Sequence, residues 1–448
     1  MSLLNKRDGF SSNLGFILAS AGSAIGLGNI WRFPYLVGKN GGAAFVMLYA
    51  VLLITIGVSV LLVELAIGRN GQGNCVKSYS KINKNFKWLG FLNIVTSFFI
   101  LAFYSVVGGW TIYFFIQSIV GNVANKHTTE MEVFFSSFIS APLNPIICLA
   151  VFLGLTMFIV AKGISKGIEV YNKFLMPALF IMIIILLVRS VTLPGALEGV
   201  KWYLHPDFSL INGTIFVTAL GQALFSLSVG HAVQLTYASY LSKNANLPRS
   251  SIYIAMFDLI VSILIGFVIF PAVFAFGIVP GAGPELAFVT IPQVFSEIVF
   301  GEIFIMIFFL LLLSAALGSS IAHMEVVLSY FVETFKAKRS RICFVYGMLV
   351  FLFAIPASLS FGPWGSIELF HMNIFSIYEY ATSNISLPFS ALICSILVGW
   401  FWKKEQAIAS VTNNGTVGNL AVSIWLPLVK YVVPLAVLLI WLQSIGII

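Results

Sequence analysis

Charge is what this sequence lacks most. Only 9% of its 448 residues are Asp, Glu, Lys or Arg, 59% are hydrophobic, and the mean hydropathy is +1.01. A soluble globular domain carries about 25% charged residues, so soluble enzymes and nucleic-acid-binding modules are excluded together. Cysteine is also scarce. Cys75, Cys148, Cys343 and Cys394 show no paired spacing, which argues against a zinc site or a disulfide framework and leaves them as core thiols. No G-x-x-x-x-G-K-[ST] phosphate loop occurs, so a primary pump with its own nucleotide site is disfavoured. A separate ATPase subunit stays formally open. There is no Pro-rich linker, low-complexity tract or large soluble insertion, which predicts one membrane domain over residues 1–448.

What remains is apolar runs. Crossing a hydrocarbon core of about 30 Å takes roughly 17 to 25 residues. Such runs lie near 11–37, 42–68, 88–120, 143–162, 167–192, 212–240, 250–277, 301–335, 342–357, 373–401 and 420–446, eleven candidate spans of an all-α polytopic protein. The basic residues follow them. With the N-terminus inside, Lys6, Arg7, Arg69, Lys77, Lys81, Lys84, Lys87, Lys162, Lys166, Lys173, Lys243, Arg249, Lys336, Lys338, Arg339, Arg341, Lys403 and Lys404 fall on the inner side, eighteen of the 24 Lys and Arg. The outer side keeps Arg32, Lys39, Lys126, Arg189 and Lys201. This is the positive-inside pattern and predicts a multi-pass plasma membrane protein, bacterial inner membrane in kind, with a cytoplasmic N-terminus and an outward C-terminus. A signal peptide ending at Ala19-Ser20-Ala21 is disfavoured, because the apolar run continues past it. The outer stretches 121–142 and 278–300 are the notable loops, the second with a short amphipathic segment able to fold back over the protein.

Two spans are built unlike lipid-facing helices. The first reads Ala21-Gly22-Ser23-Ala24-Ile25-Gly26-Leu27-Gly28-Asn29-Ile30-Trp31-Arg32-Phe33-Pro34, with three glycines inside seven residues. Each helix-interior glycine costs about 0.8–1 kcal/mol relative to Ala, so the run favours a broken helix with backbone free to bind. The sixth carries Gly221-Gln222-Ala223-Leu224-Phe225-Ser226-Leu227-Ser228-Val229-Gly230-His231. Interrupted spans five apart are the mark of inverted-repeat transporters, here repeats near 11–192 and 212–401 with a further span near 420–446. Half-helix N-termini would face an anionic group and freed carbonyls a cation, which predicts a carboxylate and Na⁺. Glycine used only for close helix packing is the plainer reading of either span alone.

The run GSAIGLGNIWRFP, followed by NGGAAF and later by GQALFSLSVG and TYASY, resembles the neurotransmitter:sodium symporter family, its prokaryotic eleven-span amino-acid branch in particular. The resemblance covers nearly the whole chain. It implies a LeuT-type 5+5 inverted repeat and sodium-driven uptake of an amino acid or similar small zwitterion by alternating access.

By matching position, the resemblance assigns a first sodium site to Ala24, Asn29, Ser226, Asp258 and the substrate carboxylate. Sharing that carboxylate would couple the two ligands. Asp258 stands where the family more often has Asn. Members that need chloride hold it among positions matching Tyr49, Gln222, Ser226 and Ser262, so the carboxylate of Asp258 is expected to take the place of that anion and no chloride requirement is expected. A protonated Asp258 bonded to a backbone carbonyl stays as the alternative. The second site would use Gly22, Ile25, Ala315 and Ser319. Gly318 departs from the family there, where another side-chain oxygen is expected, so one or two Na⁺ remain open. Leu27, Gly28 and Tyr104 would hold the substrate carboxylate, and Ala24, Phe225 and Ser226 its amine. Gly26 stands where monoamine carriers have Asp, which favours an amino acid.

Ile100, Ser228, Ser319, His231 and His323 would line the side-chain pocket. Two imidazoles in place of apolar residues predict a polar or small side chain, or an unusual zwitterion, since buried polar groups seek partners. The alternative is that the rings bond each other or nearby Ser; proton coupling through them is a third reading. The resemblance places Arg32 with Glu379, and the lid Phe225, at the outer gate. It places Arg7 with Glu333 at the inner gate, Tyr240 and Glu325 nearby. Glu64 and Glu169 read as structural. A transport-inactive sensor and an ion channel of the same fold remain alternatives, and the oligomeric state is not legible.

Overall fold

A computed structural model describes residues 8–124, 126, 128–277, 284–416 and 420–447. They are helical almost throughout, with a single isolated β-bridge between Leu369 and Met372. The first apolar run forms α1 (Asn13–Ala24) and α2 (Gly28–Lys39), bent by 55° at the intervening residues. Then follow α3 (Ala43–Gly71), α4 (Lys84–Ile119), α5 (Asn144–Ala161) and α6 (Ile164–Val191). The sixth run is two short helices, α7 (Gly213–Ser226) and α8 (Val233–Ala238). Then come α9 (Leu247–Phe276), α10 (Leu286–Ser296), α11 (Gly301–Phe335), α12 (Arg339–Leu359), α13 (Ile374–Phe401) and α14 (Ile424–Ser444), while shorter helices at Cys75–Ile82, Thr128–Ile139, Ala196–Leu204 and Lys404–Thr412 lie in the connections.

Nine of the eleven predicted segments thus coincide with helices long and apolar enough to cross a bilayer, and a tenth is the bent pair. The segment 212–240 does not become one long helix, and its break is where the chemistry gathers. Local signals explain the starts. Ser12 caps α1 by accepting from Gly15 N–H at 3.0 Å. Asn212 caps α7 and Asn246 caps α9 in the same way, at 2.9 and 3.0 Å, each satisfying one orphan donor of a first turn.

The broken elements sit at the centre. α1 packs on α6, α9 and α11, while α4 runs along α11, α5 and α12. The outer faces of α5 and α6 carry Phe158 and Phe174, exposed by 62% and 77%, the apolar surface a lipid-facing helix presents. The expected fold-back segment is found in α10. Its Phe288 stacks on Phe135 at 5.3 Å and lies 5.9 Å from Trp110 and 6.2 Å from Trp31, roofing one end of the central cavity.

Candidate functional site

The breaks are made by backbone that gives up its helical partners. Ile25 is extended (φ −73°, ψ 98°) and ends α1. Gly26 N–H is donated to Asn29 Oδ1 at 3.1 Å and Leu27 N–H to the Tyr104 hydroxyl at 3.1 Å, so the carbonyls of Gly22 and Ser23 lose their i+4 donors. In the sixth run Ser228, Gly230 and Ala232 all have positive φ (53°, 88° and 57°). Only glycine fits at 230, where a β-carbon would lie 2.5 Å from the Leu387 carbonyl oxygen.

Neighbouring spans repair this second break. Glu64 accepts from Gly230 N–H at 2.5 Å and Leu235 N–H at 3.4 Å. Asn93 donates to the Gly230 carbonyl at 2.9 Å and Ser97 to that of His231 at 3.2 Å. Irregular backbone at this depth is tolerated because protein groups satisfy it.

Between the breaks lies a cavity of about 640 Å³. The twelve residues expected to touch substrate line it: Ala24, Gly26, Leu27 and Gly28 from the first break, Phe225, Ser226, Ser228 and His231 from the second, Ile100 and Tyr104 from α4, and Ser319 and His323 from α11. Glycine at 26 has a steric reason, since a β-carbon there would sit 2.6 Å from Ser319 Oγ and 2.9 Å from the Tyr104 hydroxyl. Phe225 lies against Gly28, whose own β-carbon would come within 2.7 Å of its ring.

Beside the cavity is a buried polar knot. Asn29 Nδ2 donates to Asp258 Oδ1 at 2.8 Å, Ser262 Oγ at 2.9 Å and Ser226 Oγ at 3.0 Å. The Tyr49 hydroxyl donates to Asp258 Oδ2 at 2.8 Å, and Ser226 to the same carboxylate at 2.6 and 2.7 Å. All five residues are at most 1% exposed. Gln222 takes no part in these bonds; its amide reaches the Gly28 carbonyl at 3.4 Å and its Oε1 is unpartnered. Of the residues expected at a second cation site, Gly318 packs against Gly22, and the Ser319 hydroxyl donates to the Ser23 carbonyl at 3.1 Å. Gly22, Ile25 and Ala315 are buried around them.

The histidines face each other edge to face with ring centroids 5.2 Å apart. His323 Nδ1 lies 3.5 Å from Ser97 Oγ, while His231 Nδ1 has no partner. Among the described residues no three His, Cys, Asp or Glu side chains converge as metal ligands would.

The two ends of the cavity differ. At one end Arg32 and Glu379 both line it without an ion pair inside 4.0 Å, and Arg32 instead stacks 4.4 Å above the Phe225 ring. At the end near the N-terminal segment the contacts are closed. Glu325 is salt-bridged to Arg339 and accepts from the Tyr240 hydroxyl at 2.6 Å. Glu333 accepts from the backbone and side chain of Asn74 at 2.9 and 2.8 Å, and Arg7 lies outside the described residues. In the sequence Arg339 is one of a basic cluster, and its place against Glu325, fourteen positions away, has no local signal. The same holds for Glu64 and Asn93, whose partners are more than a hundred residues distant. Glu169 receives Ser11 N–H and hydroxyl at 2.6 Å and Lys173 at 2.7 Å, a structural tie between α6 and the start of α1.

The model of the sodium:neurotransmitter symporter family matches residues 7–136 and 125–447. Over 440 residues the chain is 37% identical to an uncharacterised sodium-dependent transporter of Bacillus subtilis, YhdH, covering 98% of each. It is 39% identical over 459 residues to one from Haemophilus influenzae, covering 99% and 100%. The crystal structure of MhsT in complex with L-phenylalanine superposes with a TM-score of 0.89 at 38% identity, covering 98% of this chain and 100% of that one. The fold is therefore of the LeuT type, and the chain belongs to the sodium:neurotransmitter symporter family, a family of sodium-coupled membrane transporters rather than enzymes.

Proposed function

We propose that this transporter takes up a small amino acid or related zwitterion with Na⁺ and without chloride. One observation carries the reading: the freed backbone of the first break, the Tyr104 hydroxyl and the Asp258 knot border the same cavity. The N–H groups of Leu27 and Gly28 with Tyr104 suit a carboxylate, and the carbonyls of Ala24 and Phe225 suit an ammonium group. Ala24, Asn29, Ser226 and Asp258 offer the oxygens that a hard monovalent cation prefers. A carboxylate removed from water is costly unless a cation or several donors meet it. Asp258 has the donors, and Na⁺ supplies the charge, with no chloride needed beside it.

MhsT holds L-phenylalanine, which supports an amino acid as the ligand class. His231 and His323 at the pocket wall favour a polar or small side chain over a large apolar one. The distribution of Lys and Arg supports a cytoplasmic N-terminus, so that the Arg339–Glu325 end is the inner gate and the Arg32–Glu379 end the outer. A thermal-shift screen of the purified protein against amino acids and related zwitterions, in Na⁺ and in K⁺, tests the reading. Stabilisation by a small polar amino acid in Na⁺ alone is expected. No ligand-dependent shift in Na⁺, or the same shift in both ions, contradicts it.

A further inference from the structure

The second sodium site expected from the sequence is one oxygen short, because residue 318 is glycine. The structure supplies a reason. A β-carbon at 318 would stand 2.4 Å from the Gly22 carbonyl oxygen and 3.7 Å from Leu175 Cδ2. α11 and α1 meet there backbone to backbone, with α6 alongside, and a hydroxyl on residue 318 would push them apart.

Asn172 lies one turn before Leu175 on α6 and is 1% exposed. Its Nδ2 donates to the Ile168 carbonyl at 2.8 Å. A carbonyl accepts only from the nitrogen, so this bond fixes which end of the amide is which. Oδ1 is then turned to α1, where a β-carbon on Gly22 would be 2.2 Å from it. It has no hydrogen-bond partner. A buried acceptor left so is costly. The Gly22 carbonyl has lost its i+4 donor to Asn29, as described above. Two oxygens in want of a positive partner thus gather about the residue that faces the missing ligand.

We infer that Asn172 Oδ1 supplies the oxygen residue 318 does not, completing the second sodium site with the carbonyls of Gly22, Ile25 and Ala315 and the hydroxyl of Ser319. An amide oxygen is a hard donor and adds no charge to a neutral set. The inference rests on the sodium-coupled reading above.

Na⁺ titrations of the purified full chain, without substrate and at constant ionic strength against K⁺, read this site by thermal shift, with Asp258→Asn titrated alongside so that binding at the first site, which then lacks both carboxylates, is subtracted. Wild type is expected to be stabilised saturably. Asn172→Ala should raise the half-saturating Na⁺ about tenfold, equivalent to about 1.4 kcal/mol, and Asn172→Asp should bind Na⁺ at least as tightly as wild type. Asn172→Ala titrating like wild type overturns the inference alone. If the Ala variant is already less stable in K⁺, Asn172→Asp decides: a fold as stable as wild type in K⁺ with the Na⁺ response lost also overturns it. Wild type indifferent to Na⁺ overturns the sodium-coupled reading and this inference with it.

Discussion

At the scale of single residues, the unusual group is Asp258. An aspartate at 0% exposure, met by Asn29, Tyr49 and Ser226 within 2.8 Å, sits where insertion of Asp costs about 2.5–3.5 kcal/mol, and the proposed sodium coupling requires it charged. Asp258→Asn keeps the shape and removes the charge. In proteoliposomes, Na⁺-driven uptake by this variant should fall at least about tenfold in gluconate and recover in part when chloride is restored. Uptake that stays unimpaired and chloride-independent would sink the assigned role. Glycine is as telling as charge. A β-carbon at Gly26 would run into Ser319 and Tyr104, which fits the proposal that the ligand brings its own carboxylate.

At the scale of elements, the two interrupted helices are held by different means. The first break is stitched within itself and to Tyr104; the second hangs on α3 and α4 through Glu64, Asn93 and Ser97. Glu64→Gln can offer only one oxygen and turns an N–H₂ toward a backbone N–H, leaving a buried donor unmet. A stability loss of about 1–3 kcal/mol is expected, seen as a shorter half-life at elevated temperature in detergent; an unchanged half-life would count against the capping role. The breaks themselves were legible, because glycines beside Asn, Ser and Gln at span depth have few other uses. The groups that repair them were not. Glu64 and Asn93 carry no periodicity or spacing that points to Gly230; packing of α3 on α8, and of α4 against the break itself, brings them there. Arg339 was hidden by its basic neighbours in the same way, while the pocket residues were legible only through the family motifs.

At the scale of the molecule, the cavity is bounded unequally. Near the N-terminal segment, Phe10 meets Tyr237 at 5.8 Å, Asp8 accepts from Ile164 N–H at 2.6 Å, and Arg339, Glu325 and Tyr240 form a tight cluster. At the other end Arg32 and Glu379 stand apart beneath the aromatic roof of α10. A carrier that alternates needs two such ends of near-equal free energy, biased by ligands that bind one arrangement better. The proposed sodium-coupled uptake requires that Na⁺ and a zwitterion bind this cavity as linked partners sharing the substrate carboxylate. The most direct measurement is substrate affinity by calorimetry over a range of Na⁺ at fixed ionic strength, paired with Na⁺ affinity with and without substrate. Linkage predicts that each ligand strengthens the other by the same factor, about 5- to 150-fold. A substrate affinity that stays constant from K⁺ alone to saturating Na⁺ would contradict it.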